Sequence, residues 1–215
     1  MQDYLLLENF PKRLQGLSAL VKGKYNILIS GATNSGKSSL LNALAEYIGQ
    51  EERVITIEDS AELQLFHVDN LVRLETRNAN VEGANEITMQ DLIKAALRMR
   101  PDRIIVGEVR GAEAMSMLQA LSTGHSGSFS SIHANSCRDA LRRLETMVLM
   151  GMDMPLGAIQ GLIASSVDIL IHLGRCLNGE RKILEISEIK DYSRTEYETH
   201  TLFQYDKDHG LEIRE

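Results

Sequence analysis

The eight residues 31–38 constrain the fold of this chain more than any other stretch. They read Gly-Ala-Thr-Asn-Ser-Gly-Lys-Ser, and they follow the apolar run 26–30 and precede a helical pattern. A G-x-x-x-x-G-K-[ST] sequence between a strand and a helix is typical of a phosphate-binding loop. The glycines let backbone N–H groups point inward around an anion, and the helix adds the positive end of its dipole. The stretch therefore predicts a phosphorylated ligand at a helix N-terminus.

Length and composition fit one domain with a full hydrophobic core. The chain has 215 residues, of which 43% are hydrophobic and 25% charged, which are ordinary globular values. Its net charge of −7 argues against a broad, sequence-independent grip on nucleic acid, so we expect no direct nucleic-acid partner. The cysteines Cys137 and Cys176 match no zinc or redox spacing. No apolar run approaches the ~20 residues of a membrane span, so we expect any membrane contact to be peripheral or through a partner.

Strands alternate with helices through residue 173, which predicts an α/β fold with a mostly parallel, doubly wound sheet. The predicted strands are 26–30, 54–58, 71–74, 103–106, 128–132 and 168–173. The predicted helices are one or two within 3–22, then 37–48, 112–122, 137–150 and 155–166. A further helix is predicted to begin at Thr88, which forms a cap with Asp91, and to end before Pro101. The segments 181–190, 197–205 and 211–214 predict a small antiparallel C-terminal extension, and 78–85 is predicted to be a loop.

The phosphate loop supplies the first candidate site residues. Lys37 is expected to reach the β- and γ-phosphates, and the Ser38 hydroxyl is expected to ligate Mg²⁺. The residues predicted to hold the phosphates are Gly31, Ala32, Thr33, Asn34, Ser35, Gly36, Lys37, Ser38 and Ser39.

Acidic residues follow two of the predicted strands. The strand beside a phosphate loop usually ends in an Asp that holds Mg²⁺ through water, but here that position is Gly107 and the acid is Glu108. Glu108 either orients or deprotonates an attacking water or simply ends a strand in solvent. Glu58 and Asp59 end the second strand, at the edge where ligand crevices form, and are candidates for the Mg²⁺ and water shell. Glu62 is a further candidate, or it caps a turn.

Two histidines and two arginines complete the candidates. His125 and His133 lie in a stretch, 114–137, that has no Asp, Glu, Lys or Arg. Either both are core histidines with backbone partners, or His133 bonds the γ-phosphate or relays its loss. Arg73 and Arg77 are candidates because phosphoryl transfer gains from a guanidinium at the γ-phosphate, which a neighbouring subunit can supply.

These motifs, in this order, resemble those of the type II/type IV secretion ATPase superfamily, in particular the CpaF/TadA-like branch that drives tight-adherence pili. The resemblance spans 20–190, and its most specific part is the run 97–111. It implies a RecA-like P-loop fold that uses ATP and Mg²⁺. In the terms of that family, 31–38 is the Walker A motif, Glu58, Asp59 and Glu62 form the Asp box, Glu108 is an atypical Walker B glutamate, and His125 and His133 lie in the His box.

The resemblance also implies roles, partners and a location. The residues implied in catalysis are Glu108, Glu58, His133, Arg73 and Arg77, and those implied in metal binding are Ser38, Glu108 and Asp59. Family members form ring hexamers, which act at the cytoplasmic face of the inner membrane with a platform protein of a pilus or secretion system. Their N-terminal domain closes over the nucleotide. We assign 1–24 to a helical lead-in and 25–215 to the RecA-like domain, so we expect that N-terminal domain to be absent and nucleotide binding by this chain alone to be weak.

Three functions are compatible with these residues. The leading prediction is an ATP-hydrolysing motor domain that powers pilus assembly or protein secretion. The alternatives are a conjugation-type ring ATPase for DNA transfer and a nucleotide-dependent docking module without hydrolysis. Salt-sensitive DNA binding would favour the first alternative, and tight ATP binding without phosphate release would favour the second.

Overall fold

The structure is a computed structural model that describes residues 14–176, 179–193, 196–206 and 210–213. Within these ranges nine strands form one sheet. The strands are β1 (Ile27–Gly31), β2 (Arg53–Glu58), β3 (Asn70–Glu75), β4 (Arg103–Val109), β5 (Phe129–Ile132), β6 (Ile169–Arg175), β7 (Arg181–Ser193), β8 (Glu196–Asp206) and β9 (Gly210–Ile213). The helices are α1 (Leu14–Lys22), α2 (Lys37–Ala45), α3 (Met89–Leu97), α4 (Glu113–Ser122), α5 (Cys137–Gly151) and α6 (Leu156–Ser166). No helix among the described residues is long and apolar enough to cross a membrane.

The strand order is β3-β2-β4-β5-β1-β6-β7-β8-β9. The first six strands in this order are parallel, and β7, β8 and β9 continue the sheet in antiparallel fashion. This confirms the predicted mostly parallel sheet with an antiparallel C-terminal extension. Because the carboxyl ends of parallel strands meet at one edge, the loops that follow β1, β2, β4 and β5 lie together there.

Helices cover both faces of the parallel part of the sheet, and strand β1 shows how the sequence arranges this. Its side chains alternate between the faces: Ile27 and Ile29 join the core under α1 and α2, whereas Leu28 joins the core under α3 to α6. Burial on both faces explains why Ile27, Leu28 and Ile29 form a continuous apolar run and do not alternate with polar residues.

A local signal in the sequence explains where helix α3 begins. Helix α3 begins at a capping box in which Thr88 Oγ1 accepts from the N–H of Asp91 at 3.2 Å and Asp91 Oδ2 accepts from the N–H of Thr88 at 3.1 Å. Helix α1 buries Leu17 and Val21 in the core beside α2. The rest of the helix predicted within 3–22 lies outside the described residues, as does residue 214 of the last predicted strand.

Strand β4 is longer than its predicted core, 103–106. It continues to Val109, which pairs with Ile132 of β5, although the register between the two strands shifts after Val106. A bulge of this kind bends a strand without ending it. Gly107 and Glu108 therefore lie in the bulged part of a strand and not in the loop beyond it.

Candidate active site

A cavity of about 460 Å³ lies at the carboxyl edge of the parallel strands. It brings together side chains from the loop after β1 and from the ends of β2, β4 and β5, as the sequence predicts. The charged and polar residues that line it are Thr33, Asn34, Lys37, Ser38, Ser39, Glu58, Asp59, Ser60, Glu62, Glu108, Arg110, Ser131, His133 and Arg181.

The phosphate loop turns into helix α2 through a left-handed residue. Gly36, the N-cap of α2, has φ 100° and ψ 22°, a conformation that costs a residue with a side chain free energy but suits glycine. It allows α2 to begin at Lys37, so that the N-terminal N–H groups of the helix face the cavity edge.

The side chain of Lys37 is held inside the loop by hydrogen bonds to backbone carbonyl groups of the loop. Its Nζ donates to the carbonyls of Gly31 and Ala32 at 3.3 and 3.4 Å and lies 3.3 Å from His133 Nδ1. Only 9% of the residue is exposed, and this burial lowers the pKa of the ammonium group, although Glu108 opposes the shift. The hydroxyl of Ser35 is also buried and has no hydrogen-bond partner among the described residues.

Glu108, on β4, carries the carboxylate that contacts Lys37, Arg110 and His133 in the cavity. Its Oε2 accepts from Arg110 at 2.7 Å. Its Oε1 lies 2.7 Å from His133 Nε2 and 3.9 Å from Lys37 Nζ. No donor is aligned on that oxygen, so within the described part of the chain it is a buried carboxylate oxygen without a hydrogen bond. A buried oxygen of this kind usually has a ligand or a water as its partner.

Glu58 is buried beside Glu108 and organises the turn that follows β2. Its Oε1 accepts from the N–H groups of Glu62 and Leu63 at 3.0 and 3.1 Å. Burial raises the pKa of its carboxyl group, and the two N–H groups oppose the shift. Its side chain passes Gly107, where an added Cβ would lie 3.1 Å from Glu58 Cγ. The glycine at the position of the usual strand-end Asp therefore leaves space for Glu58.

The remaining acids engage neighbouring polar groups. Ser38 Oγ donates to Glu62 Oε2 at 2.7 Å. Asp59 accepts from Thr76 at 3.1 Å through one oxygen and pairs with Arg110 at 3.2 Å through the other. Ser38, Asp59 and Glu62 therefore all have polar partners within the protein, and all three line the cavity.

Among the candidates outside the phosphate loop, three lie away from the cavity. Arg73 is exposed on the edge strand β3, and Arg77 is exposed where its side chain donates to the carbonyl of Asn85 at 2.8 Å. His125 lies before β5, at the opposite end of that strand from His133, with Nδ1 3.2 Å from the carbonyl of Ala120. Of the two histidines, only His133 therefore joins the phosphate loop.

The structure adds Arg110, Ser131 and Arg181 to the cavity lining. Arg110 bridges Glu108 and Asp59, and its hydrogen bond to Glu108 raises the pKa of its guanidinium. A strand extended beyond Val106 would have indicated it, because residues two apart face the same side of a strand. Ser131 donates to the carbonyl of Gly107 at 2.7 Å and ties β5 to the bulge. No local sequence pattern predicts that Arg181 reaches the cavity, because only the order of the strands in the sheet brings β7 near β1.

Comparisons with known proteins agree with this fold. A putative conjugal transfer protein of Mycobacterium tuberculosis is 41% identical over 172 residues, which are 80% of this chain and 48% of the relative. The VirB11 ATPase from the Brucella suis type IV secretion system, solved with sulphate, is 33% identical with a TM-score of 0.75, over 87% of this chain and 56% of that one. The pilus retraction motor PilT with bound ADP is 25% identical with a TM-score of 0.64, over 91% and 54% of the two chains.

These matches confirm the RecA-like secretion ATPase fold, and the CpaF/TadA-like branch stays a prediction. The chain spans about half the length of the curated relatives it matches. The family model described as Type II/IV secretion system protein matches residues 3–206, and the chain belongs to that family.

Proposed function

We propose that this chain binds and hydrolyses ATP at the 31–38 loop and acts as the motor part of a pilus-assembly or secretion machine. The observation that carries the proposal is the juxtaposition of Lys37, His133 and Glu108, with one carboxylate oxygen of Glu108 free of any aligned donor. Family membership and the similarity to the structure of the VirB11 ATPase support it.

The contacts of these three residues suggest how they divide the work. Lys37 can exchange its neutral carbonyl partners for phosphate oxygens, which are stronger acceptors for an ammonium group. Glu108 Oε1 can orient a water and accept its proton as the water attacks the γ-phosphate. His133 contacts Lys37 through one ring nitrogen and Glu108 through the other, so it positions both groups relative to the phosphate.

The acidic end of the cavity fits a magnesium ion. Ser38, Asp59 and Glu108 offer a hydroxyl and two carboxylates, and Mg²⁺ prefers such oxygen donors. The free Oε1 of Glu108 is the structural observation that favours this assignment. Glu108 would hold the ion through a water, so that Oε1 stays able to accept a proton. When bound, Mg²⁺ neutralises charge on the β- and γ-phosphate oxygens. Binding of the ion by Ser38 would require its hydrogen bond to Glu62 to break, and binding by Asp59 would weaken the ion pair of Asp59 with Arg110.

We further propose that the chain works in a ring hexamer at the cytoplasmic face of the inner membrane, together with a platform protein. Arg73 and Arg77 are exposed and lie outside the cavity. This suits a role at the interface with a neighbouring subunit, and the family resemblance implies a role either at the nucleotide or at that interface. Glu58 is proposed to act by holding the turn 59–63 as well as by its implied catalytic role.

The test measures ATP binding and phosphate release for the unaltered chain and for three variants, at high protein concentration so that contacts between subunits can form. Lys37→Ala should lose ATP binding. Glu108→Gln should keep ATP binding but lose phosphate release by about 100-fold or more, the usual contribution of a general base. Lys190→Ala is the matched control, because that lysine pairs with Glu188 on the extension.

Two results would contradict the proposal. Equal ATP binding by Lys37→Ala and the unaltered chain would show that the 31–38 loop is not the phosphate-binding site. Tight ATP binding with no phosphate release, in single-turnover conditions with Mg²⁺, would support the docking module without hydrolysis instead.

A conjugation-type DNA-transfer motor is the second candidate, because a matched relative is named as a conjugal transfer protein. The net charge of −7 opposes direct contact with DNA along its phosphates. DNA binding that weakens steeply with salt would favour this candidate, whereas DNA-independent ATP hydrolysis and no DNA binding would favour secretion or pilus assembly.

A further inference from the structure

The three cations that line the cavity differ in how their charges are compensated. Lys37 and Arg110 both lie near Glu108, at 3.9 and 2.7 Å. The side chain of Arg181, by contrast, makes no hydrogen bond or ion pair with any described residue, although it lines the same cavity. Arg181 is therefore the one cavity cation, among the described residues, whose charge is available to a ligand.

Arg181 also lies on the opposite side of the phosphate loop from the acids. Glu58 and Glu108 belong to β2 and β4, which lie on one side of β1 in the sheet, whereas Arg181 begins β7, which follows β6 on the other side. The two ends of the cavity are therefore acidic and basic, with the loop 31–38 between them.

This polarity fixes the direction of a nucleotide, given the proposed function. The acids proposed to hold Mg²⁺ and to orient the attacking water would lie toward the γ-phosphate, where the chemical step takes place. The chain of phosphates then crosses the loop after β1 and brings the α-phosphate toward β6 and β7. An uncompensated guanidinium at that position suits a phosphate oxygen.

The pairing of β6 with β7 gives a second, independent indication of an anion. Arg175 and Arg181 are directly opposite each other on these antiparallel strands, and both are exposed. Like charges directly opposite in a sheet destabilise it. An anion held next to this pair would offset the repulsion, and only Arg181 of the two lines the cavity.

We propose that Arg181 binds the α-phosphate of the nucleotide, so that the antiparallel extension contributes directly to nucleotide affinity. This inference rests on the proposed function. It assigns Arg181 to binding and not to the chemical step, since the acids and His133 lie at the other end of the cavity.

The test measures binding of ADP that carries a fluorescent N-methylanthraniloyl label, for the unaltered full chain, Arg181→Ala, Arg181→Lys and the control Arg175→Ala. Arg181→Ala should weaken ADP binding about tenfold, the value of one charge-assisted hydrogen bond, and Arg181→Lys should restore part of it. Raising the salt concentration should shrink the difference, because Arg181 is exposed. Arg175→Ala should bind within about twofold of the unaltered chain, because it removes an equal charge one strand away.

A kinetic measurement separates binding from structural damage. For Arg181→Ala, KM for ATP should rise while kcat at saturating ATP stays within about twofold, since uniform binding is lost without loss of transition-state contacts. An equal loss of affinity in Arg175→Ala would overturn the inference, because a general charge effect would then explain the result. Unchanged ADP affinity in Arg181→Ala would overturn this inference and leave the proposed function standing. Failure of the unaltered chain to bind millimolar ADP would instead overturn the proposed function, and this inference with it.

Discussion

Substituting Gly107 by alanine tests whether this glycine is required by the packing of Glu58. The added Cβ would lie 3.1 Å from Glu58 Cγ, several tenths of an ångström inside the optimal separation of about 3.5–4.0 Å for two carbons. Glu58 cannot simply move away, because it is buried and its Oε1 holds the N–H groups of Glu62 and Leu63. Straining two charge-assisted hydrogen bonds, each worth about 1.5–3 kcal/mol, should cost about 2 kcal/mol of unfolding free energy.

The assay is chemical unfolding of a double-mutant cycle with Glu58→Ala. Removing the Glu58 side chain should make Gly107→Ala nearly neutral, so the two changes should couple by about 1 kcal/mol or more. Gly161→Ala is the control, because nothing lies within 4 Å of a Cβ there; since Gly161 is within α6, alanine should stabilise the helix by up to about 1 kcal/mol. A destabilisation by Gly107→Ala that persists in full without the Glu58 side chain would refute the packing argument.

Three further predictions concern stability and reactivity. Burial opposes ionisation of Glu52, but its bonds to Arg103 outweigh burial and lower its pKa to about 2; Glu52→Gln should therefore lose about 2 kcal/mol near neutral pH after allowance for solvent screening. Because the folded pKa is depressed, this difference should persist above pH 4.5 and vanish as the pH falls toward 2, as acid unfolding curves would show. Burial raises the pKa of the Cys137 thiol, so alkylation of the native chain followed by mass spectrometry should modify Cys176 first. Thr88→Ala should lower the unfolding free energy by about 1 kcal/mol through loss of the α3 cap, and a change below a few tenths would contradict that role.

The sequence predicted those features of the fold that depend on residues close together in the chain. The loop 31–38 and the Thr88 capping box depend on residues a few positions apart, so the sequence alone predicts both. The end of β4 was less predictable, because Gly107 is a residue that commonly ends strands. In the structure that glycine lies in a bulge, and pairing resumes at Val109.

The sequence did not predict those features of the site that depend on the order and direction of strands far apart in the chain. The separation of His125 from His133 follows from the direction of β5, which carries them to opposite ends of the sheet. The arrival of Arg181 at the cavity depends on β7 joining the sheet beyond β6, and no spacing within 181–190 predicts that. The assignment of catalytic and metal-binding roles to Glu108, Glu58 and Asp59 stays a prediction, although these side chains do line one cavity.

The contacts of Lys37 with the carbonyls of Gly31 and Ala32 have a consequence for how nucleotide affinity is interpreted. If nucleotide binds at this loop as proposed, binding is an exchange reaction, in which the ammonium group leaves two backbone carbonyl groups that must then be hydrated. The measured affinity is thus the difference between two sets of hydrogen bonds. Lys37→Ala removes both sets at once, so the drop in affinity that it causes understates the strength of the bond between lysine and phosphate in the bound state.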